Sequence, residues 1–197
     1  MTKIVGIDPG LAATGVGVVS GRGVKVAGYS FGCITTSHSI PLAERLDCIF
    51  SKLQQLFSNE APDLVVLEDV FSLKEYPRSG ITLGQVSGVV MLAAFRAGLG
   101  CVQVPVREAK QVLTGNGNAS KLQLEKAVRG HLEHPGPIRP FHAADALGLA
   151  LIGLFRCDGR KRAPAAASPT SGGAPHPVRR RSQGCTKLTA RKWCRTP

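Results

Sequence analysis

Three acids and one histidine stand where apolar runs meet their edges. They occur in Lys3-Ile4-Val5-Gly6-Ile7-Asp8-Pro9-Gly10, in Leu64-Val65-Val66-Leu67-Glu68-Asp69 and in His142-Ala143-Ala144-Asp145-Ala146-Leu147. A carboxylate at such an edge costs several kcal/mol to desolvate if it stays unpaired. One isolated case reads as a cap or a salt bridge. Three in one chain point to a shared divalent metal, which holds several acids together. The chemistry this donor set fits is phosphodiester hydrolysis with two Mg²⁺ ions roughly 3.5–4 Å apart, one activating water and one stabilising the leaving oxygen. Asp8 suits the bridging position, with Glu68 and Asp145 completing either side. His142 is a better ligand for Mn²⁺ than for Mg²⁺. It also suits a general acid or base, a water-orienting group, or a plain cap of the helix it opens.

These groups can meet only if particular elements carry them. Residues 3–8 read as a short apolar strand, 14–20 as a second strand, and 24–34 as a third behind the Gly21-Arg22-Gly23 turn. From Ile40 to Phe57, apolar residues recur at helical spacing. Leu64–Leu67 is a continuous apolar run, as in a strand buried on both faces. Residues 79–98 form a helix rich in Gly and Ala, suited to close packing. Cys101–Val104 is a strand, Pro105 opens a helix to about Leu113, and helices follow over 120–131 and 142–155. The order is βββαβαβααα, the ribonuclease H-like α/β layout: a mixed five-stranded sheet flanked by helices. Asp8 and Glu68 end neighbouring strands, and alternation sends Asp69 to the other face. His142 and Asp145, three apart, share one helix face.

The 197 residues suffice for one domain and a tail. No apolar stretch reaches membrane-spanning length, and the start carries no signal-peptide pattern, so a cytoplasmic protein without membrane association is expected. The six cysteines show no zinc-site spacing and read as buried reduced thiols. The formal charge of +12 is uneven, because residues 156–197 hold 11 of the 25 basic side chains and only one of the 13 acids. A nuclease domain over 1–156 and a basic, disordered tail rich in Pro, Ala, Ser and Gly over 157–197 are expected. Such a tail contacts nucleic acid by counterion release or serves as a solubilising extension.

In order along the chain, Gly6-Ile7-Asp8-Pro9-Gly10, Thr14-Gly15, Glu68-Asp69-Val70-Phe71, Leu83-Gly84-Gln85, Lys110-Gln111, Lys121 and Ala143-Ala144-Asp145-Ala146-Leu147 resemble the bacterial RuvC Holliday-junction resolvases. The resemblance spans about residues 3–155. It implies a homodimeric crossover junction endodeoxyribonuclease of DNA recombination and repair, which nicks two opposed strands of four-way junction DNA. It implies partnership with the branch-migration proteins RuvA and RuvB. It implies catalytic and metal-binding roles for Asp8, Glu68, His142 and Asp145 with two Mg²⁺, Mn²⁺ substituting. Lys110 and Lys121 would lie near the scissile phosphate, and Phe71 would stack on an unpaired base. The chain departs from the family pattern between Phe71 and the second helix and around Ile138-Arg139-Pro140-Phe141.

Other readings stand beside this one. A ribonuclease H-like nuclease of the YqgF type, acting on RNA, shares the opening motif. An actin-like or sugar-kinase ATPase also begins with a strand, an Asp and a Gly turn, but needs a second lobe. A junction-binding protein without activity would not need the acids.

Overall fold

The computed structural model describes residues 1–69 and 77–157, with the backbone pair Cys194–Arg195. Phe71 and almost all of the basic tail lie outside the described residues. Three strands come first, β1 (Thr2–Asp8), β2 (Ala13–Arg22) and β3 (Lys25–Thr35). They are followed by α1 (Leu42–Glu60), β4 (Leu64–Asp69), α2 (Pro77–Arg96) and β5 (Gly100–Pro105). Three helices then follow, α3 (Val106–Thr114), α4 (Lys121–His131) and α5 (Phe141–Arg156). This is the expected order. The sheet runs β5-β4-β1-β2-β3, with β1–β2–β3 antiparallel and β4 and β5 parallel to β1. A two-residue strand, β6 (Cys194–Arg195), pairs with Gly28 and Tyr29 on the outer edge of β3.

Each face of the sheet carries its own core. Ile4, Val19 and Val66 pack on α3, α4 and α5; Val5, Ile7, Val65 and Leu67 pack on α1 and α2. This is the period-two alternation of strands buried on both sides. Helix α5 is buried from Ala143 to Leu154 save Asp145, the pattern of a core helix rather than an amphipathic one. It lies against β1 and β2 at backbone distance. A Cβ built on Gly6 would stand 2.0 Å from the Ala146 carbonyl oxygen, and one on Gly15 2.0 Å from that of His142. Glycine is required at both positions because there is no room for a side chain.

Several boundaries differ from expectation. Pro105 ends β5 and caps α3 instead of opening it, its fixed φ suiting both tasks. Helix α4 starts as expected, with Ser120 and Gln123 forming a reciprocal capping box. The expectation that all cysteines are reduced thiols fails at Cys48, which is disulfide-bonded, while Cys33 and Cys101 are free thiols.

Candidate active site

The register of two strand pairings brings the first two acids together. Ile7 stands beside Leu67 in the parallel β1–β4 ladder, so Asp8 and Glu68 follow at the same sheet edge and on the same face. On the other side Asp8 pairs with Gly15. Gly15 is the position where α5 comes down onto the sheet, at His142. The loop after Asp8 is tied down by its neighbours. Thr14 donates to the Gly10 carbonyl at 2.7 Å, Thr36 donates to that of Leu11, and Arg45 Nε donates to Thr36 Oγ1 at 2.8 Å.

Asp8 is buried, 7% exposed. His142 Nδ1 lies 2.6 Å from its Oδ2. With the proton on Nδ1, that nitrogen donates to the carboxylate and Nε2 presents its lone pair. His142 does not cap α5; Pro140 occupies the N-cap position and no side chain bonds there. His142 is therefore not the cap of α5; its partner is the Asp8 carboxylate.

The electrostatics are those of acids crowded without enough positive charge. Burial pushes the Glu68 carboxyl up to about 9, helped by a hydrogen bond to Asp8 and by the charges of Asp8 and Asp145, and Lys121 opposes the shift. Burial and the Asp8 charge push Asp145 up to about 6, against Lys121, His142 and Lys110. The hydrogen bond to Asp8 holds His142 above its ordinary value despite burial. Asp8 thus acts on Glu68, His142 and Asp145, Asp145 also acts on Glu68 and His142, and Lys121 acts on all three. Lys110 acts on Asp145 alone among them. Asp69, on the opposite side of the β4 ribbon, takes no part in this set.

Among the described residues no three such groups close into a metal shell by themselves. The donor chemistry nevertheless fits hard divalent cations. The Asp8 charge raises the proton affinity of Glu68 and Asp145, and the same excess of negative charge favours a cation. Sequence reasoning missed Cys33, which faces Gly15 across β2–β3 and whose thiol is pushed up to about 11 by burial and by Asp8. It also missed Gly15 itself, since glycine in a strand reads only as weakness.

Residues 4–153 match the family model described as crossover junction endodeoxyribonuclease RuvC. The Rhodopirellula baltica protein of that name is 39% identical over 152 residues, covering 77% of this chain and 85% of its own. The Carboxydothermus hydrogenoformans protein is 36% identical over 157 residues, 80% of this chain and 98% of its own. Among solved structures, Thermus thermophilus RuvC in complex with a Holliday junction substrate superposes with a TM-score of 0.75 at 31% identity, covering 80% of this chain and 96% of that one. The yeast mitochondrial Holliday junction resolvase, at 14% identity and a TM-score of 0.53, shares the fold. An ordered motif set, a sheet edge that gathers its acids beneath the last helix, and relatives matched over most of their length lead to one assignment: the chain belongs to the RuvC family of crossover junction endodeoxyribonucleases.

Proposed function

We propose that this protein is a Holliday-junction resolvase that makes paired, symmetric nicks in four-way junction DNA during recombination and repair. The observation that carries the reading is the convergence of Asp8, Glu68, His142 and Asp145 from β1, β4 and α5. Those side chains would hold two Mg²⁺ ions, with Mn²⁺ substituting. Bound there, the ions supply water activation and stabilise the leaving oxygen. Asp8 orients His142. Lys110 and Lys121 offset the acidic cluster and attract a scissile phosphate to it. Phe71, in the segment that follows β4, is proposed to stack on an unpaired junction base. The related structure holds a Holliday junction, which favours junction DNA over the RNA substrate of a YqgF-type nuclease.

Two equivalent nicks require two equivalent sites, which a two-fold dimer supplies. Helix α2 offers the surface. Ile81, Met91, Leu92 and Phe95 are exposed along one stripe, Phe95 by 75%. Gly84 and Gly88 on the same stripe face open space. Apolar area of this kind is characteristic of interfaces. RuvA and RuvB are the proposed partners on the junction. Residues 1–156 would form the nuclease and 157–197 a tail that adds phosphate contacts. No helix among the described residues is long and apolar enough to cross a membrane, and a cytoplasmic setting fits the DNA substrate.

Incubation with a synthetic four-way junction, a linear duplex and an RNA stem-loop, with and without Mg²⁺ or Mn²⁺, tests the reading. Metal-dependent cleavage restricted to the junction is expected. Equal cleavage of duplex, or cleavage of RNA alone, overturns it.

A further inference from the structure

Three positions before His142 the chain holds a cation in place without neutralising it. The Arg139 guanidinium lies over the Phe141 ring, 4.1 Å from its centroid, and Nη1 donates to the Ile138 carbonyl at 2.9 Å. Ile138 is fully buried, and its N–H donates to the Glu125 carboxylate at 2.8 Å. Glu125 is itself only 3% exposed, so the base of this unit is anchored in the core. Arg139 remains exposed and makes no ion pair among the described residues. Glu125 is taken by the Ile138 N–H and by Arg129 at 3.9 Å.

A long cationic side chain on a surface normally samples many rotamers. Here stacking on Phe141 fixes the plane of the guanidinium, and the bond to Ile138 fixes its rotation. Most of its five N–H donors stay available at the edge of that plane. A planar, edge-accessible guanidinium matches two oxygens of one phosphate. The unit also sits immediately before α5, whose positive end adds to the attraction for an anion. Arg139 stands three positions before His142, at the start of the helix that carries His142 and Asp145. The acids repel DNA, and Lys110 and Lys121 are the cations that act on them directly. Arg139 supplies a further charge at the start of α5.

We propose that Arg139, braced by Phe141, is a positioning residue that grips a backbone phosphate of the junction strand beside the scissile phosphodiester. This rests on the resolvase reading above. The test is single-turnover cleavage of a synthetic four-way junction by excess full-length protein, titrated at low and at near-physiological salt in Mg²⁺. Arg139→Ala is expected to raise the half-saturating protein concentration about three- to tenfold and to lower the log–log salt slope by about one. The maximal rate and the thermal unfolding midpoint should hold. Arg139→Lys should restore the salt slope and only part of the affinity, since it keeps the charge and loses the fork. Phe141→Leu should weaken half-saturation in the same direction. Unchanged half-saturation and slope in Arg139→Ala overturn the proposal. So does an equal loss in the Ala and Lys variants accompanied by a lower unfolding midpoint, which marks a merely structural role. If the wild-type protein fails to prefer junction over duplex, the resolvase reading falls and this proposal with it, a result separable from the variant data.

Discussion

Asp8 and His142 are 134 positions apart in sequence and 2.6 Å apart in space. Asp8 also shares a hydrogen bond with Glu68, so one carboxylate links strand β4 to helix α5. Its replacement should therefore separate chemistry from binding. Asp8→Asn is expected to lower junction cleavage about 1000-fold or more while leaving junction affinity within about threefold, because binding rests on the basic surface. Gel-shift and cleavage assays on the same preparation check both. Cleavage retained at high metal concentration would sink the assignment of the site.

For His142 the outcome depends on what replaces it. His142→Ala should cut the single-turnover rate about 100-fold. His142→Asp should keep substantial activity with Mg²⁺ by supplying a hard oxygen. The wild type should prefer Mn²⁺ over Mg²⁺ more than His142→Asp does, since imidazole suits Mn²⁺. A loss confined to thermal stability, with the rate per folded molecule intact, would place His142 outside the chemistry.

The acid cluster should destabilise the metal-free protein as pH rises. Glu68 titrates at about 9 in the fold against an ordinary value of 4.5, and Asp145 at about 6 against 3.8. Their folded values are raised, so each contribution is fully present below the ordinary value and is lost as pH climbs through the folded one. His142 is raised as well and acts in the same direction. In chelator, the unfolding midpoint should fall between about 4.5 and about 9. Glu68→Gln should flatten that fall and stabilise the chelated protein at the alkaline end by on the order of 1–3 kcal/mol. Mg²⁺ should restore the wild type most at that end. A midpoint that rises across this window contradicts the account.

The two strand acids are legible in the sequence because a strand has a fixed period. Given Asp8 and Glu68 at the ends of parallel runs, alternation sends Glu68 and Asp69 to opposite faces, and the Ile7–Leu67 register puts Glu68 on the face of Asp8. His142 and Asp145 follow equally from helical spacing. What fixes the distance between the pairs is not legible. It depends on Gly6 and Gly15 meeting the backbone of α5, and no local rule distinguishes such a glycine from a strand weakness. The Gly/Ala pattern of α2 suggests close packing, yet Ala93 and Ala94 are buried while Phe95 lies open. Which face of a mixed helix is covered depends on neighbours distant in sequence.

Gly15→Ala tests that close approach. The added methyl would meet the His142 carbonyl oxygen at 2.0 Å, a backbone atom that cannot rotate away as a flexible side chain would. A cost of about 1–3 kcal/mol or more in stability is expected, with a further loss of cleavage per folded molecule because α5 must lift His142 from Asp8. Thermal unfolding and single-turnover rates separate the two effects. Wild-type kinetics in a destabilised variant would show that the helix can shift without disturbing the site.

Removal of the residues after Cys157 should weaken binding to all DNA alike. The segment 158–197 carries ten basic side chains and one acid, a charge that neutralises phosphates without reading their arrangement. The salt dependence of binding should flatten, and the maximal cleavage rate should stay unchanged. Loss of preference for junction over duplex in the shortened protein would make the tail part of the recognition surface.

The docking of α5 also sets when in the life of the chain the nuclease can exist. A polypeptide emerging from the ribosome presents Asp8 first and Glu68 later, but His142 and Asp145 only after some 140 residues have been made. Until that last core helix closes over β1 and β2, the growing chain carries only two of the four side chains proposed to hold metal. Proteolytic fragments that end before α5 share this deficit. On the proposed reading a chain that stops short of α5 is inert as a nuclease, and cleavage is itself a report that this last core helix has docked.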